Sequence, residues 1–240
     1  PVPGQPSTPG TGQEQAGDPN VVATGLALPT DLVVLPDGTA VVGERDTGRL
    51  LQVFPDRSPA QELMVLPVDT AGDGGLLGLA LSPTFPEDGL VYAYVSTATD
   101  NRVLRFPIGG TPNPVFTGIP RGEVGNGGGL VFGPDGTLYV GTGDTGDPAL
   151  AADPASLAGK VLAIDVFGQP VGDGPVTSRG HRDVTALCTG ADERVYATDE
   201  AATSPDALDV VRPDGNVGPR GAPARCSRCP PPRAGWVAAR

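Results

Sequence analysis

Leu32-Val33-Val34-Leu35-Pro36-Asp37-Gly38-Thr39-Ala40-Val41-Val42 and, further along, Leu130-Val131-Phe132-Gly133-Pro134-Asp135-Gly136-Thr137-Leu138-Tyr139-Val140 are two copies of one unit. Each is an apolar strand, a Pro-Asp-Gly turn and a second apolar strand. The proline and glycine end the first run and supply turn backbone angles, and the flanking runs are apolar enough to be buried on both faces. A third copy lies between them: Leu79-Ala80-Leu81-Ser82-Pro83, a longer turn from Thr84 to Gly89, then Leu90-Val91-Tyr92-Ala93-Tyr94-Val95. A worn fourth copy runs from Ala186 to Thr198 around Asp192-Glu193. The turn aspartates Asp37, Asp88, Asp135 and Asp192 are 51, 47 and 57 residues apart by subtraction, close to the spacing of about 40 to 50 residues in four-stranded propeller blades. The spacing therefore predicts an all-β propeller with about four blades, and a β-sandwich with accidental similarity is the alternative.

Each hairpin is followed by a further strand candidate with partial alternation: Arg49–Val53, Arg102–Phe106, Lys160–Ile164 and Leu208–Val211. The 36 glycines and 28 prolines disfavour long helices and suit short strands joined by tight turns. A formal charge of −12 argues against nucleic acid and anionic membrane surfaces as partners. No apolar run reaches the roughly 18 residues that a membrane span requires, and three cysteines are too few for a disulfide framework. Residues 1–22 are rich in Pro, Gly, Ser, Thr and Gln and read as a flexible tether. Such tethers follow a removed export signal or a lipid anchor, so an extracellular or periplasmic location is expected.

Four further segments, in order, are Gly72-Asp73-Gly74-Gly75-Leu76-Leu77-Gly78-Leu79-Ala80, Asn126-Gly127-Gly128-Gly129-Leu130, Leu157-Ala158-Gly159-Lys160-Val161-Leu162 and Ser178-Arg179-Gly180-His181-Arg182-Asp183. With the blades around them, they resemble the glucose/sorbosone dehydrogenase family, the soluble PQQ-dependent aldose sugar dehydrogenases, from about Gly25 to Gly218. The resemblance implies a six-bladed propeller with PQQ and calcium at one end of its channel. It implies oxidation of an aldose sugar at the anomeric carbon to a lactone, followed by reoxidation of the cofactor by an external electron acceptor.

In the family a histidine before the Asn-Gly-Gly turn takes the hydroxyl proton. Here that position is Gly125, which has no side chain to accept one, and base catalysis of this kind is typically worth 10²- to 10⁴-fold. An impaired enzyme is therefore expected, with Glu123 a poorly placed substitute. The resemblance places Asn126 and Asp73 near the cofactor, although an aspartate between glycines is also a common turn former. It matches Arg182 to the arginine that pairs with the quinone oxygens, as a planar guanidinium can; a blade-edge ion pair is the other reading of Arg182. His181, the one histidine of the chain, is structural in this pattern. Calcium would be held by the backbone carbonyls of Ala201 and Ala202, where the family usually has a Gly-Pro pair. Ala207 and Asp209 also replace the usual Glu and Asn of an Asp-Glu-Leu-Asn run.

The loop Gly141–Asp147 lacks the spacing of an EF-hand and reads as a polar loop at the channel mouth. Beyond Gly218 the pattern stops. Residues 219–240 carry Arg, Pro, Ala and Gly without strand alternation, and read as an altered reading frame or a chain end. Cys226-x-x-Cys229 in that stretch lacks a second ligand pair for zinc. The domain plan is thus a tether over 1–22, a partial propeller over 23–218 and an irregular tail over 219–240. A sugar dehydrogenase with an impaired site is the first functional reading, and a non-catalytic propeller that binds a sugar or protein at its channel face is the second.

Overall fold

The computed structural model describes residues 18, 20–202 and 205–218. Fifteen of the sixteen strands among these residues form four antiparallel sheets in which chain order equals spatial order. The first contains β1 (Pro29–Val34), β2 (Ala40–Glu44), β3 (Arg49–Val53) and β4 (Gln61–Val65). The second contains β5 (Leu76–Leu81), β6 (Leu90–Ser96), β7 (Asn101–Pro107) and β8 (Asn113–Ile119). The third contains β9 (Leu130–Phe132), β10 (Leu138–Gly141), β11 (Lys160–Ile164) and β12 (Val176–Arg179). The fourth has β13 (Val184–Thr189), β14 (Val195–Asp199) and β15 (Ala207–Val210). The remaining strand, β16 (Gly215–Asn216), pairs in parallel with β12 on the rim of the third sheet. These four meanders are four blades of a β-propeller. Only two short helices interrupt them among the described residues, α1 (Phe85–Asp88) before β6 and α2 (Pro148–Ala152) before β11.

The repeated turn closes each hairpin in the same way. In the first copy Leu35 N–H donates to Thr39 O (2.8 Å), and the Asp37 carboxylate accepts from both Thr39 N–H (2.9 Å) and Thr39 Oγ1 (2.7 Å). Gly133, Asp135 and Thr137 repeat this arrangement in the third copy. Gly38 and Gly136 carry the left-handed backbone at φ 85° and 80°. In the worn fourth copy the corresponding residue is Glu193, held left-handed at φ 62°. The long turn of the second copy winds into α1 and closes on Gly89 in the same left-handed region.

Cores lie between neighbouring blades. Leu50, Leu66, Leu76, Val91, Val95 and Phe106 pack blade one on blade two, while Tyr92, Tyr94, Ile119, Leu138, Leu162 and Ile164 pack blade two on blade three. Tyr92 adds an edge-to-face contact with Phe132 at 5.0 Å. Val161, Val184 and Ala197 join blades three and four. β6, with neighbours on both sides, is buried along nearly its whole length, whereas Leu32 and Val34 of β1 are 55% and 62% exposed. Leu208 of the last blade is exposed as well. Residues 1–17 and 19 of the expected tether, and the whole expected tail, lie outside the described residues. Val21 and Val22 line a groove with Leu51 and Arg57.

Candidate functional site

Antiparallel alternation fixes where chemistry can gather. In each blade the repeated Asp-Gly turn joins the first strand to the second. The crossing into the next blade and the loop between its second and third strands therefore meet at the opposite end of the channel. Loops 66–75, 97–100, 120–129, 142–159 and 180–183, with residues 200–202 after β14, lie at this end and contain Asp73, Gly125, Asn126, Arg182, Ala201 and Ala202, whereas Ala207 and Asp209 lie on β15. The first strands of the four blades surround the channel itself, with a cavity of about 430 Å³ lined by Thr30, Asp31, Leu79, Gly129 and Thr185 among others.

Asn126 is the hub of the rim. It is 2% exposed, and its side-chain nitrogen donates to the Asp73 carboxylate and to Gly122 O (2.9 Å). Its oxygen accepts from Gly122 N–H and Asn101 Nδ2, both at 3.0 Å. Tyr94, fully buried in the core below, donates its hydroxyl to Asn126 O at 2.8 Å, and burial pushes that phenol well above its usual range. The second oxygen of Asp73 accepts from Gly125 N–H (2.8 Å). The polar atoms of Asn126 and Asp73 are thus engaged in shaping the 120s loop.

Gly125 is buried at the centre of this loop with φ +68°. A Cβ there would lie 3.2 Å from Asp144 Oδ1 and 3.3 Å from Thr145 N, so the position faces a carboxylate. Asp144 is 3% exposed. Burial raises its carboxyl, while the Gly146 N–H and the Arg182 guanidinium pull it down. Gly143 brings the two loops together, because a Cβ on it would overlap Gly125 O and sit 2.7 Å from Asp183 Oδ1. Glu123, by contrast, is exposed and lines a groove with Ala71, Thr99 and Arg121.

Arg182 and Asp183 stand beside this pair of loops. Arg182 O accepts from Asp144 N–H (2.7 Å), and the guanidinium, 22% exposed, reaches Asp183 Oδ2 at a loose 3.5 Å. Asp183 Oδ1 accepts from Gly127 N–H (2.7 Å). Burial pushes the Asp183 carboxyl up to about 6; the Gly127 bond and Arg182 oppose that rise, and the Asp73 and Glu200 charges add to it. His181 is fully buried, with Nε2 2.8 Å from Ser178 Oγ and Nδ1 3.3 Å from Asp199 Oδ2. Burial would raise the Asp199 carboxyl, but the bonds from His181 and from the N–H groups of Asp183 and Arg182 hold it below its ordinary value. Ala201 is half-buried and Ala202 exposed at the end of β14, where Ala201 N–H donates to Asp206 Oδ1 (2.9 Å).

The rim thus brings together Asp73, Gly125, Asn126 and Arg182, with Ala201 and Ala202 following the Glu200 whose N–H donates to Asp183 O. It also gives roles to Asp144, Asn101 and Tyr94. Asp144 was legible in sequence only as a polar loop residue. Asn101 and Tyr94 sit in the second blade, with no local signal that ties them to a loop some 25 residues on.

Comparison with known proteins places this arrangement. The glucose/sorbosone dehydrogenase family matches residues 26–220. The chain is similar to quinoprotein glucose dehydrogenase B of Acinetobacter calcoaceticus, 25% identical over 265 residues that cover 90% of this chain and 55% of that protein. The solved PQQ-bound aldose sugar dehydrogenase of Streptomyces coelicolor aligns at 40% identity and a TM-score of 0.81, covering 85% of this chain and 66% of that one. A structure from Thermus thermophilus described as a glucose dehydrogenase aligns at 34% and 0.77, covering 82% and 66%. The chain therefore spans just over half of the curated relative and about two thirds of these solved chains. On the match of 26–220 and the four-bladed frame, this chain belongs to the glucose/sorbosone dehydrogenase family.

Proposed function

We propose that this chain carries the blades of a PQQ-dependent sugar dehydrogenase that binds its quinone through Arg182, and that its oxidation of aldoses to lactones is impaired by glycine at position 125. The observation that carries the reading is the rim itself: Gly125, Asp144 and Arg182 meet at one end of the channel, where a residue larger than glycine at 125 would face a carboxylate 3.2 Å away. The PQQ-bound state of the Streptomyces coelicolor relative supports the choice of cofactor.

The residues present fit an anionic quinone at one point. Arg182 is partly exposed, only loosely paired and fork-shaped, which suits adjacent carboxylate and carbonyl oxygens. Asp73 and Asn126 would act by holding the 120s loop, since their polar atoms are already engaged. The carbonyls of Ala201 and Ala202 would hold calcium, with Ala201 fixed through Asp206. When bound, PQQ would supply the two-electron acceptor that a sugar oxidation needs. The chain's own part is orientation and proton removal, and the second part is deficient: Gly125 holds no proton at any side-chain atom, and Asp144 lies behind it with one oxygen already bonded to Gly146 N–H (2.8 Å). An external acceptor would reoxidise the quinone, and an extracellular or periplasmic site of action accords with a sugar substrate. The glycine at 125 is also what favours the second reading, a propeller that binds a sugar at its channel face without turning it over.

The test is a PQQ titration of the protein with Ca²⁺ present, followed by calorimetry and by the quinone absorbance. Saturable binding weakened at least tenfold by Arg182→Ala supports the reading. Binding indifferent to Arg182→Ala, or no binding at all, overturns it.

A further inference from the structure

Behind the rim, three side chains from separate elements converge on one point. Asp199 ends β14, Asp209 lies on β15, and His181 sits in the corner between β12 and β13. One ligand atom from each lies within 4.8 Å of the other two. His181 Nδ1 is 3.3 Å from Asp199 Oδ2 and 3.9 Å from Asp209 Oδ2. The approach is built rather than incidental. Asp199 Oδ1 accepts from two backbone N–H groups, Arg182 and Asp183, each at 2.9 Å, and this turns Oδ2 toward the imidazole. On the other side of the ring, Ser178 Oγ stands 2.8 Å from Nε2. If that oxygen accepts the Nε2 proton, Nδ1 presents its lone pair to the two carboxylates. This is the outer-shell bonding that fixes the tautomer of a metal-binding histidine.

A proton on Nδ1 shared with Asp199 satisfies that pair without an ion, and a divalent ion that displaces it would bind one atom from each of the three side chains at once. We propose that His181, Asp199 and Asp209 form a site for one divalent transition-metal ion, distinct from calcium held by backbone carbonyls. An ion with bonds of about 2.1 Å in tetrahedral geometry holds its ligands about 3.4 Å apart; His181 and Asp199 already stand at 3.3 Å, and Asp209, 3.9 Å from the imidazole and within 4.8 Å of Asp199, would move inward. One imidazole nitrogen with two carboxylates suits Zn²⁺, Co²⁺ or Mn²⁺, whereas Ca²⁺ takes six to eight oxygens. His181 and Asp199 are fully buried and Asp209 is 19% exposed, so an ion would reach the site past Asp209. The ion would staple the corner before β13 to β14 and β15, tightening the three-stranded blade behind Arg182.

The experiment uses Co²⁺, whose spectrum reports its ligands, titrated into protein stripped with EDTA. Expected are one equivalent bound, visible bands without the thiolate charge-transfer absorption that Cys226 or Cys229 would produce, and a Tm that rises with Co²⁺. Binding should weaken at least tenfold in Asp209→Asn and stay unchanged in Cys226→Ser/Cys229→Ser. An equal concentration of Ca²⁺ should not displace the ion. Asp209→Ala gives the same test should Asp209→Asn fold poorly, since this side chain is the partly exposed one of the three. No saturable binding, binding indifferent to Asp209, a thiolate band, or displacement by equimolar Ca²⁺ each overturns the proposal.

Discussion

Asp183→Asn offers the sharpest physical test of the rim. The folded protein pushes the Asp183 carboxyl from 3.8 up to about 6, chiefly by burial, and so prefers it protonated. An unfolded chain does not. Between pH 4 and 6 the native state binds more protons at this site, so the carboxyl's contribution to stability is complete below pH 4 and is lost as pH rises through 6. A rise of that size corresponds to about 3 kcal/mol at neutral pH. Asparagine keeps the oxygen that accepts from Gly127 N–H at 2.7 Å, removes the buried charge, and places no new atoms beyond an amide nitrogen near Arg182. Asp183→Asn is therefore expected to be more stable than the parent at pH 7 by about 2–3 kcal/mol, and nearly equal to it at pH 4. Urea unfolding at half-unit pH intervals, read as the difference between the two proteins, measures this directly. The difference cancels carboxylates such as Asp199, whose trend runs the other way. A difference that is flat from pH 4 to 7, or that favours the parent at pH 7, refutes the account of this site.

Three further changes probe the frame around it. Glu193 is exposed and left-handed where the first and third copies have glycine, so Glu193→Gly is expected to gain about 0.5–1 kcal/mol. In a protein of this size that raises Tm by roughly 1–4 °C in calorimetry. Lys160 is fully buried, with its ammonium donating to Leu150 O (2.8 Å), Ala151 O (3.0 Å) and Ala158 O (2.6 Å). Lys160→Met leaves those carbonyls short of a donor and is expected to cost about 2–4 kcal/mol in denaturant unfolding. Gly143→Ala drives a methyl into Gly125 O, so it is expected to separate the two rim loops, at a cost above about 2 kcal/mol in the same unfolding measurement and with loss of PQQ binding.

The repeated strand-turn-strand unit made the propeller and its blade count legible, because a turn closed by an aspartate side chain is local chemistry that recurs. The same turns mark the end of the channel opposite the rim, so the strongest signal of the fold carries no information about the site. The motifs around Gly125 and Arg182 drew attention to the two loops that meet at the rim. The engagement of Asn126 was not legible, since its partners Asn101 and Tyr94 lie in another blade and the contact exists only after the blades pack. Nor was the proximity of Asp144 to position 125, which depends on Gly143 allowing two loops to approach closer than any side chain would permit. The pairing of β16 with β12 was also invisible, being two residues long and parallel.

The most direct test of the central claim is dye-coupled turnover of glucose with PQQ and Ca²⁺, comparing the parent with Gly125→His. The left-handed backbone at 125 makes histidine there cost about 1–2 kcal/mol of stability, which calorimetry checks alongside. A parent with little or no turnover and a variant faster by about 10²- to 10⁴-fold is the expected result. Full-rate turnover by the parent, or a folded, PQQ-binding Gly125→His protein no faster than the parent, would contradict the account.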